Sequence, residues 1–196
     1  MTLAKALAPS QSLPVRALMV LGGSLFIAIA AQISVPMIPV PMTLQTLAIL
    51  IVGLTYGARL GAATVLAYLV EGAMGLPVFA NGANGAAFFG PTAGFLVGFV
   101  FMAWMVGYAA DRGVRGVLAT AAVCILASAL LYVPGVAWAM ALAELLGLDA
   151  SKWGADNFAM IWQYYMAPFL LGDAVKAVLA ALVVSGGWAA LKGRRA

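Results

Sequence analysis

The sequence predicts an all-α integral membrane protein whose six helices cross the bilayer with both termini on the cytoplasmic side. Three observations carry that prediction. The chain is 65% hydrophobic and only 8% charged, whereas a soluble domain needs roughly 25% charged residues to cover its surface, so lipid is the solvent this chain expects. Six apolar stretches can be drawn, over 17–35, 43–56, 60–75, 91–110, 116–146 and 161–191. Basic residues alternate in density between the connections. The segments that six spans would leave inside hold Lys5, Arg16, Arg59, Arg112, Arg115, Lys192, Arg194 and Arg195, and the outer segments hold Lys152 beside Glu144, Asp149 and Asp156. The length fits one transmembrane domain over residues 1–196.

Taken in order, the N-terminal "MTLAKALAPSQSLPVRALMV" has its apolar run after Arg16 and no small-residue cleavage site. It therefore reads as a cytoplasmic tail, residues 1–16, followed by a first helix rather than as a removed signal. The first outer connection, "SVPMIPVPMTLQ", carries Pro36, Pro39 and Pro41, which preset φ and remove backbone donors, so it should be extended and stiff. The second, "GLPVFANGANGAAFFGPTAGF", holds Gly82, Gly85, Gly90 and Gly94 with Asn81 and Asn84. Irregular backbone of this kind is tolerated at membrane depth only where protein buries it or it lines a cavity. Several apolar stretches depart from the ~20 residues of a perpendicular span, which predicts tilts, breaks or re-entrant pieces.

The last stretch contains "FLLGDAVKAVLAALVV", a membrane segment except for Asp173 and Lys176. Each charge at the bilayer centre costs about 2.5–3.5 kcal/mol on insertion scales. Counted back from Lys192, Asp173 lies roughly 28 Å and Lys176 roughly 24 Å up the helix, in the outer part of the membrane. Glu71, roughly 18 Å beyond Arg59, lies just past mid-depth. The i, i+3 spacing puts Asp173 and Lys176 on one face. An ion pair kept only to satisfy itself stabilises little, and two apolar residues would do as well. A carboxylate that accepts and an ammonium that donates can instead bind a small ligand bearing both kinds of group.

Composition also excludes classes. There is no histidine, and Cys124, the single cysteine, lies in an apolar helix. Neither a metal site nor an activated nucleophile is expected, and an intramembrane enzyme is correspondingly disfavoured. No G-x-x-x-x-G-K-[ST] stretch occurs, so the chain carries no nucleotide site and cannot be an ATPase. The net charge of +4 is dispersed rather than striped, which argues against nucleic acid. An ion-coupled secondary transporter, with Asp173, Lys176 and Glu71 as a relay, remains as an alternative, although no inverted repeat is evident.

At this point the sequence resembles the BioY family, the biotin-binding membrane subunits (S components) of energy-coupling-factor (ECF) vitamin transporters. The likeness rests on "PVPMTLQTLAIL" at 39–50, "GARLGAATVLAYLVEGAMGLPVFA" at 57–80, "GPTAGFLVGF" at 90–99 and "GDAVKAVLAA" at 172–181, in the family's order. The resemblance implies a six-helix S-component fold forming one substrate-binding domain. It also implies capture of biotin from outside, and delivery to the cytoplasm with an ECF transmembrane coupling protein and ATP-binding subunits. The chain would be a multi-pass protein of the cytoplasmic (inner) membrane, with no cofactor. Asp173 and Lys176 match the family's ligand-binding aspartate and lysine. Its loop asparagine matches Asn84, which precedes glycine and small residues leading to Gly90, with Asn81 as the alternative.

Some relatives carry an arginine after the G-P-[ST]-x-G motif, whereas here "FLVGF" follows. The partner of biotin's carboxylate is thus open between Lys176, backbone N–H groups of the glycine-rich connection, and water. Gln45, Glu71, Phe88 and Tyr164 are further ligand candidates, and Phe79, Phe89, Tyr68, Tyr132 and Trp138 lie in regions suited to an aromatic wall. Ser24 with Ala28, and Ala30 with Ser34, give small-xxx-small spacing on the first helix, which would let the coupling protein approach closely.

Overall fold

The structure, a computed structural model, describes residues 2–7, 12–38, 40–155 and 157–193. Pro39, Asp156, Arg194 and Arg195 of the sequence argument lie outside the described residues. Most of the described chain is helical. A short helix α1 (Leu3–Leu7) precedes α2 (Leu13–Gln32). The first long helix therefore begins at Leu13, a turn earlier than the apolar run suggests, because Pro14 occupies its first turn, where a missing N–H costs nothing. Part of the expected tail is itself helical. Ala4 and Ala6 of α1 are buried, and the Leu3 side chain reaches the position a Cβ on Gly187 would fill.

The proline-rich connection is extended only at its two ends, which pair with each other, and it bends at Ile38 and Val40 between them. Strands β1 (Ser34–Val35) and β2 (Met42–Thr43) run antiparallel with Ser34 opposite Thr43 and Val35 opposite Met42. Helices α3 (Gln45–Tyr56) and α4 (Ala58–Ala73) follow, joined by Gly57 alone. Gly57 has φ +88°, a conformation open to glycine and strained for other residues, so one residue reverses the chain. The Asp111 carboxylate accepts from the Ala58 N–H at 2.9 Å and so satisfies an orphan donor at the start of α4.

Two 3₁₀ turns, Ala80–Gly82 and Gly85–Phe89, lead into α5 (Ala93–Asp111) and α6 (Val117–Ala137). Helix α6 continues through a wide π turn, Trp138–Leu142, into the single turn α7 (Ala143–Leu145). Then come α8 (Phe158–Ile161), a second π turn over Trp162–Met166, and α9 (Ala167–Gly193). The second π turn directly precedes Pro168, whose ring cannot donate to the preceding turn, and the widened backbone absorbs that loss.

Among the described residues, four segments are long and apolar enough to cross a membrane: Leu13–Gln32, Ala93–Asp111, Val117–Ala141 and Ser151–Leu191. Helix α3 has 12 residues and α4 has 16, reaching roughly 18 and 24 Å. Several large apolar side chains of α2, among them Leu18, Leu21, Leu25 and Ile29, face outward, as they would toward acyl chains. The core instead lies around α5, against α3, α4 and α6. Backbones meet closely there. A Cβ on Gly53 would stand 2.6 Å from the Ala103 carbonyl oxygen, and one on Gly107 would stand 2.5 Å from the Ala58 nitrogen. Small residues give helices this approach where lipid supplies no hydrophobic drive for association.

The two poles differ in chemistry. At one pole α1, the Gly57 reversal and the α5–α6 turn gather Arg59, Arg112 and Arg115, with the Arg115 guanidinium 4.0 Å above the Trp188 ring. At the other lie the hairpin, the two 3₁₀ turns and the start of the last helix, and the cavity opens among them.

Candidate ligand-binding site

A cavity of about 260 Å³ lies between α3, α5, α6 and α9 beneath the hairpin and the glycine-rich turns. Helix α9 and the π turn before it contribute one stripe to its wall: Tyr165, Phe169, Asp173 and Lys176. Spacings of four, four and three residues hold these side chains on a single face. Phe95, Leu96 and Phe99 come from α5, and Leu131 and Tyr132 from α6.

At the polar corner, Lys176 Nζ stands 2.8 Å from Asp173 Oδ1, and the two side chains are only 8% and 13% exposed. The remaining carboxylate oxygen, Oδ2, accepts from the Tyr132 hydroxyl at 2.6 Å. Lys176 also donates to the Thr43 carbonyl at 3.4 Å, which ties α9 to the hairpin. A buried ion pair is tolerable only when its remaining donors and acceptors are satisfied, and Tyr132 and Thr43 do this here. Next to it, Gln45 Nε2 donates to the Tyr68 hydroxyl at 2.8 Å, and that hydroxyl donates to the Val78 carbonyl at 2.9 Å.

The opposite wall is the turn at 79–83. Gln32, the last residue of α2, donates to the Phe79 carbonyl at 2.9 Å and accepts from the Gly82 N–H at 3.0 Å. Asn81 adopts the left-handed conformation, φ 56° and ψ 31°, which asparagine tolerates better than most residues. Its Oδ1 accepts from the Ser34 hydroxyl at 3.1 Å. The Phe79 ring packs edge-on against Tyr68 and Phe88, with centroids 5.2 and 5.6 Å apart, and closes the floor of this wall.

Of the residues singled out from sequence, Asp173, Lys176, Gln45, Asn81, Phe79 and Tyr132 border the cavity. Asn84, the better motif match, does not. Its Oδ1 accepts from the Ala86 N–H at 3.3 Å and caps the second 3₁₀ turn, because the left-handed residue at 81 turns the chain so that 81 faces inward. Glu71 points toward α2, accepting from the Ser24 hydroxyl at 2.7 Å. Phe88 stands behind Phe79 rather than in the lining. Tyr164 is 38% exposed, while its neighbour Tyr165 is buried in the wall. One residue rotates a helix face by about 100°, and the π turn decides which tyrosine looks in.

The proposed docking stripe does not face outward either. Ser24, Ala28 and Ala30 are buried within the chain, Ser24 against Glu71 of α4, and Ser34 belongs to the hairpin. Trp138 donates its indole N–H to the Gly90 carbonyl at 2.9 Å, which makes it a brace for the loop rather than a wall. Phe95, Phe99, Tyr165, Phe169 and Thr46 line the cavity without having been singled out. The four-residue ladder running back from Asp173 carries the signal for Phe169 and Tyr165. The α5 residues carry none, since all sides of that helix are apolar.

The arrangement can hold a compact ligand that offers hydrogen-bond donors and acceptors at one end and apolar surface along its length. A family model described as the BioY family matches residues 5–193. A biotin transporter BioY of Rhizobium etli is 39% identical over 160 residues, covering 77% of this chain and 79% of that protein. One of Rhodobacter capsulatus is 38% identical, covering 76% and 81%. A probable biotin transporter BioY of Pyrococcus horikoshii is 34% identical, covering 82% and 90%. The fold is similar to a crystal structure of the S-component for biotin from an ECF-type ABC transporter, with a TM-score of 0.66 and 22% identity over 90% of this chain and 93% of that one. The relatives are biotin transporters rather than enzymes, and the family match over residues 5–193 spans the helices that build the cavity as well as the turns that cover it; this chain belongs to the BioY family.

Proposed function

We propose that this protein is the biotin-capturing membrane subunit of an uptake system. It binds biotin from outside and delivers it to the cytoplasm in company with an ECF coupling protein and ATP-binding subunits. The observation that carries this reading is the Lys176–Asp173 pair, buried and turned into an otherwise apolar cavity. Biotin's ureido ring has two N–H donors and a carbonyl, which complement a carboxylate and an ammonium held side by side. Its thiophane ring and valeryl chain suit Phe95, Phe99, Phe169 and Tyr165.

In this reading residues 1–196 form one domain in which α2 to α6 and the continuous last helix all cross the cytoplasmic membrane. The shorter α3 and α4 cross where Gly57 and the glycine-rich turns shorten their path. The arginine-bearing pole lies inside, by the positive-inside rule, and the cavity opens outside. Asp173, Lys176, Gln45 and Asn81 contact the ligand. With Ser24, Ala28 and Ala30 packed inward, the coupling protein meets other surface, and the outward face of α2, with Leu18, Leu21, Leu25 and Ile29 exposed, is one apolar face available to it.

Purified protein should gain thermal stability with micromolar biotin in the absence of nucleotide or an ion gradient, less with desthiobiotin, and none with lipoate, which lacks the ureido group. A stabilisation that requires sodium or a shift of pH would instead favour the ion-coupled carrier. Tyr132→Phe removes the hydroxyl that orients Asp173 and should weaken biotin binding about tenfold, the scale of one hydrogen bond to a charged group. Equilibrium binding of the folded variant checks this.

A further inference from the structure

The charged residues of the cavity lining are Asp173 and Lys176, one of each sign, and they neutralise one another at 2.8 Å. A ligand carboxylate brought to this corner would add a third charge in a low-dielectric site. It would have to win Lys176 from Asp173, leaving the Asp173 carboxylate with Tyr132 alone. Burying an unpaired carboxylate is among the most costly events in a protein interior. A neutral ring with donors and acceptors faces no such penalty. A further neutral group stands ready for it, because the Thr46 hydroxyl is buried in the lining without a hydrogen-bond partner.

Among the described residues, the lining above this corner carries no further charge. In the turn that closes the mouth, the Gly82 N–H is shared between the Phe79 carbonyl and Gln32 Oε1, and the Ala83 N–H goes to the Ala80 carbonyl. From Tyr165 to Asp173 the stripe advances roughly 12 Å down the helix, lined by aromatic surface that fits an alkyl chain. We infer that, on the reading of this chain as a biotin binder, the ring head docks at the Asp173–Lys176–Thr46 corner. The carboxylate stays at the mouth in water, so carboxyl-blocked biotin derivatives are ligands as good as the free acid. The site therefore reads the ring head and is indifferent to the tail's charge, which extends its ligand class to biotin amides and esters.

The test is equilibrium binding to the purified full chain of biotin, biotinamide, biotin methyl ester and a biotin methylated on a ureido nitrogen. Biotinamide and the ester should bind within about tenfold of biotin, and the ureido-methylated compound should lose more than that, since it removes a donor aimed at a charged acceptor. Tight biotin binding with a loss beyond about tenfold for both blocked tails would overturn the inference and leave the biotin reading intact. Retained affinity for the ureido-methylated compound would also overturn it. Failure of biotin itself to bind would remove the underlying reading. A second measurement separates the roles of Lys176: Lys176→Met should weaken acid and amide by the same factor, and a selective loss of the acid would reassign that ammonium to the carboxylate.

Discussion

Asp173→Asn is expected to lower biotin affinity by about 1.5–3 kcal/mol, the scale of a hydrogen bond to a charged group, and to destabilise the protein as well. The substitution keeps the side chain's volume. It removes the negative charge, and one acceptor oxygen becomes a donor facing either the Tyr132 hydroxyl at 2.6 Å or the Lys176 ammonium at 2.8 Å. Breaking a buried pair by removing one member leaves an uncompensated charge, which costs about 3–5 kcal/mol where it is fully enclosed. With exposures of 8% and 13%, this pair lies close to that limit. The two effects can be separated. In the double variant Asp173→Asn/Lys176→Met neither charge remains, so most of the stability should return while biotin binding stays weak. Thermal unfolding in detergent, with and without biotin, reads both quantities. If the double variant bound biotin like the original protein, the pair would have no part in recognition.

Gly94→Ala should be the most damaging single-methyl change in the chain. A Cβ on Gly94 would stand 2.2 Å from the Pro134 carbonyl oxygen and 2.5 Å from Trp138 Cβ. The first of these is backbone, so no rotamer change relieves the contact, and α5 and α6 must separate. Overpacking of this kind costs about 1–3 kcal/mol and more where the neighbour cannot yield. The separation also reaches the site. Phe95 and Tyr132 line the cavity from these two helices, their rings edge-on with centroids 6.0 Å apart, and Tyr132 holds Asp173. Gly94→Ala should therefore lower both the unfolding temperature and biotin affinity. Gly113→Ala tests whether glycine loss at large is the cause. It has open space at its Cβ but a φ of +92°, so it should cost about 1 kcal/mol of backbone strain and leave binding unchanged. Equal losses of binding in the two variants would argue against packing as the mechanism.

The helices were legible because their signal is local. A lipid-solvated helix must be apolar over most of its length, so stretches drawn from composition alone fall close to α2, α3, α4, α5, α6 and α9. The errors at their ends have local causes. Pro14 starts α2 a turn early, and the π turn before Pro168 moves the last helix's beginning. Asp173 and Lys176 were legible because ionisable residues in lipid are costly, and a costly residue marks its own position. The choice between neighbours was not. Asn81 rather than Asn84, and Tyr165 rather than Tyr164, depend on a left-handed residue and a widened turn, and each rotates the chain by an amount no residue count contains.

The sequence by itself determined that this chain lives in lipid as a bundle of helices, which family it joins, and which helix carries the buried acid and base. Those are properties of composition and of residues near one another along the chain. Only the tertiary structure decided that Tyr132 and Thr43 complete the pair, that Glu71 and Ser24 turn to each other instead, and that the small residues of α2 pack inward. The physical reason is that hydrogen bonds and packing contacts reach only a few ångströms. Tyr132 and Asp173 are 41 residues apart in sequence and 2.6 Å apart in space, and only the way the helices cross brings them together.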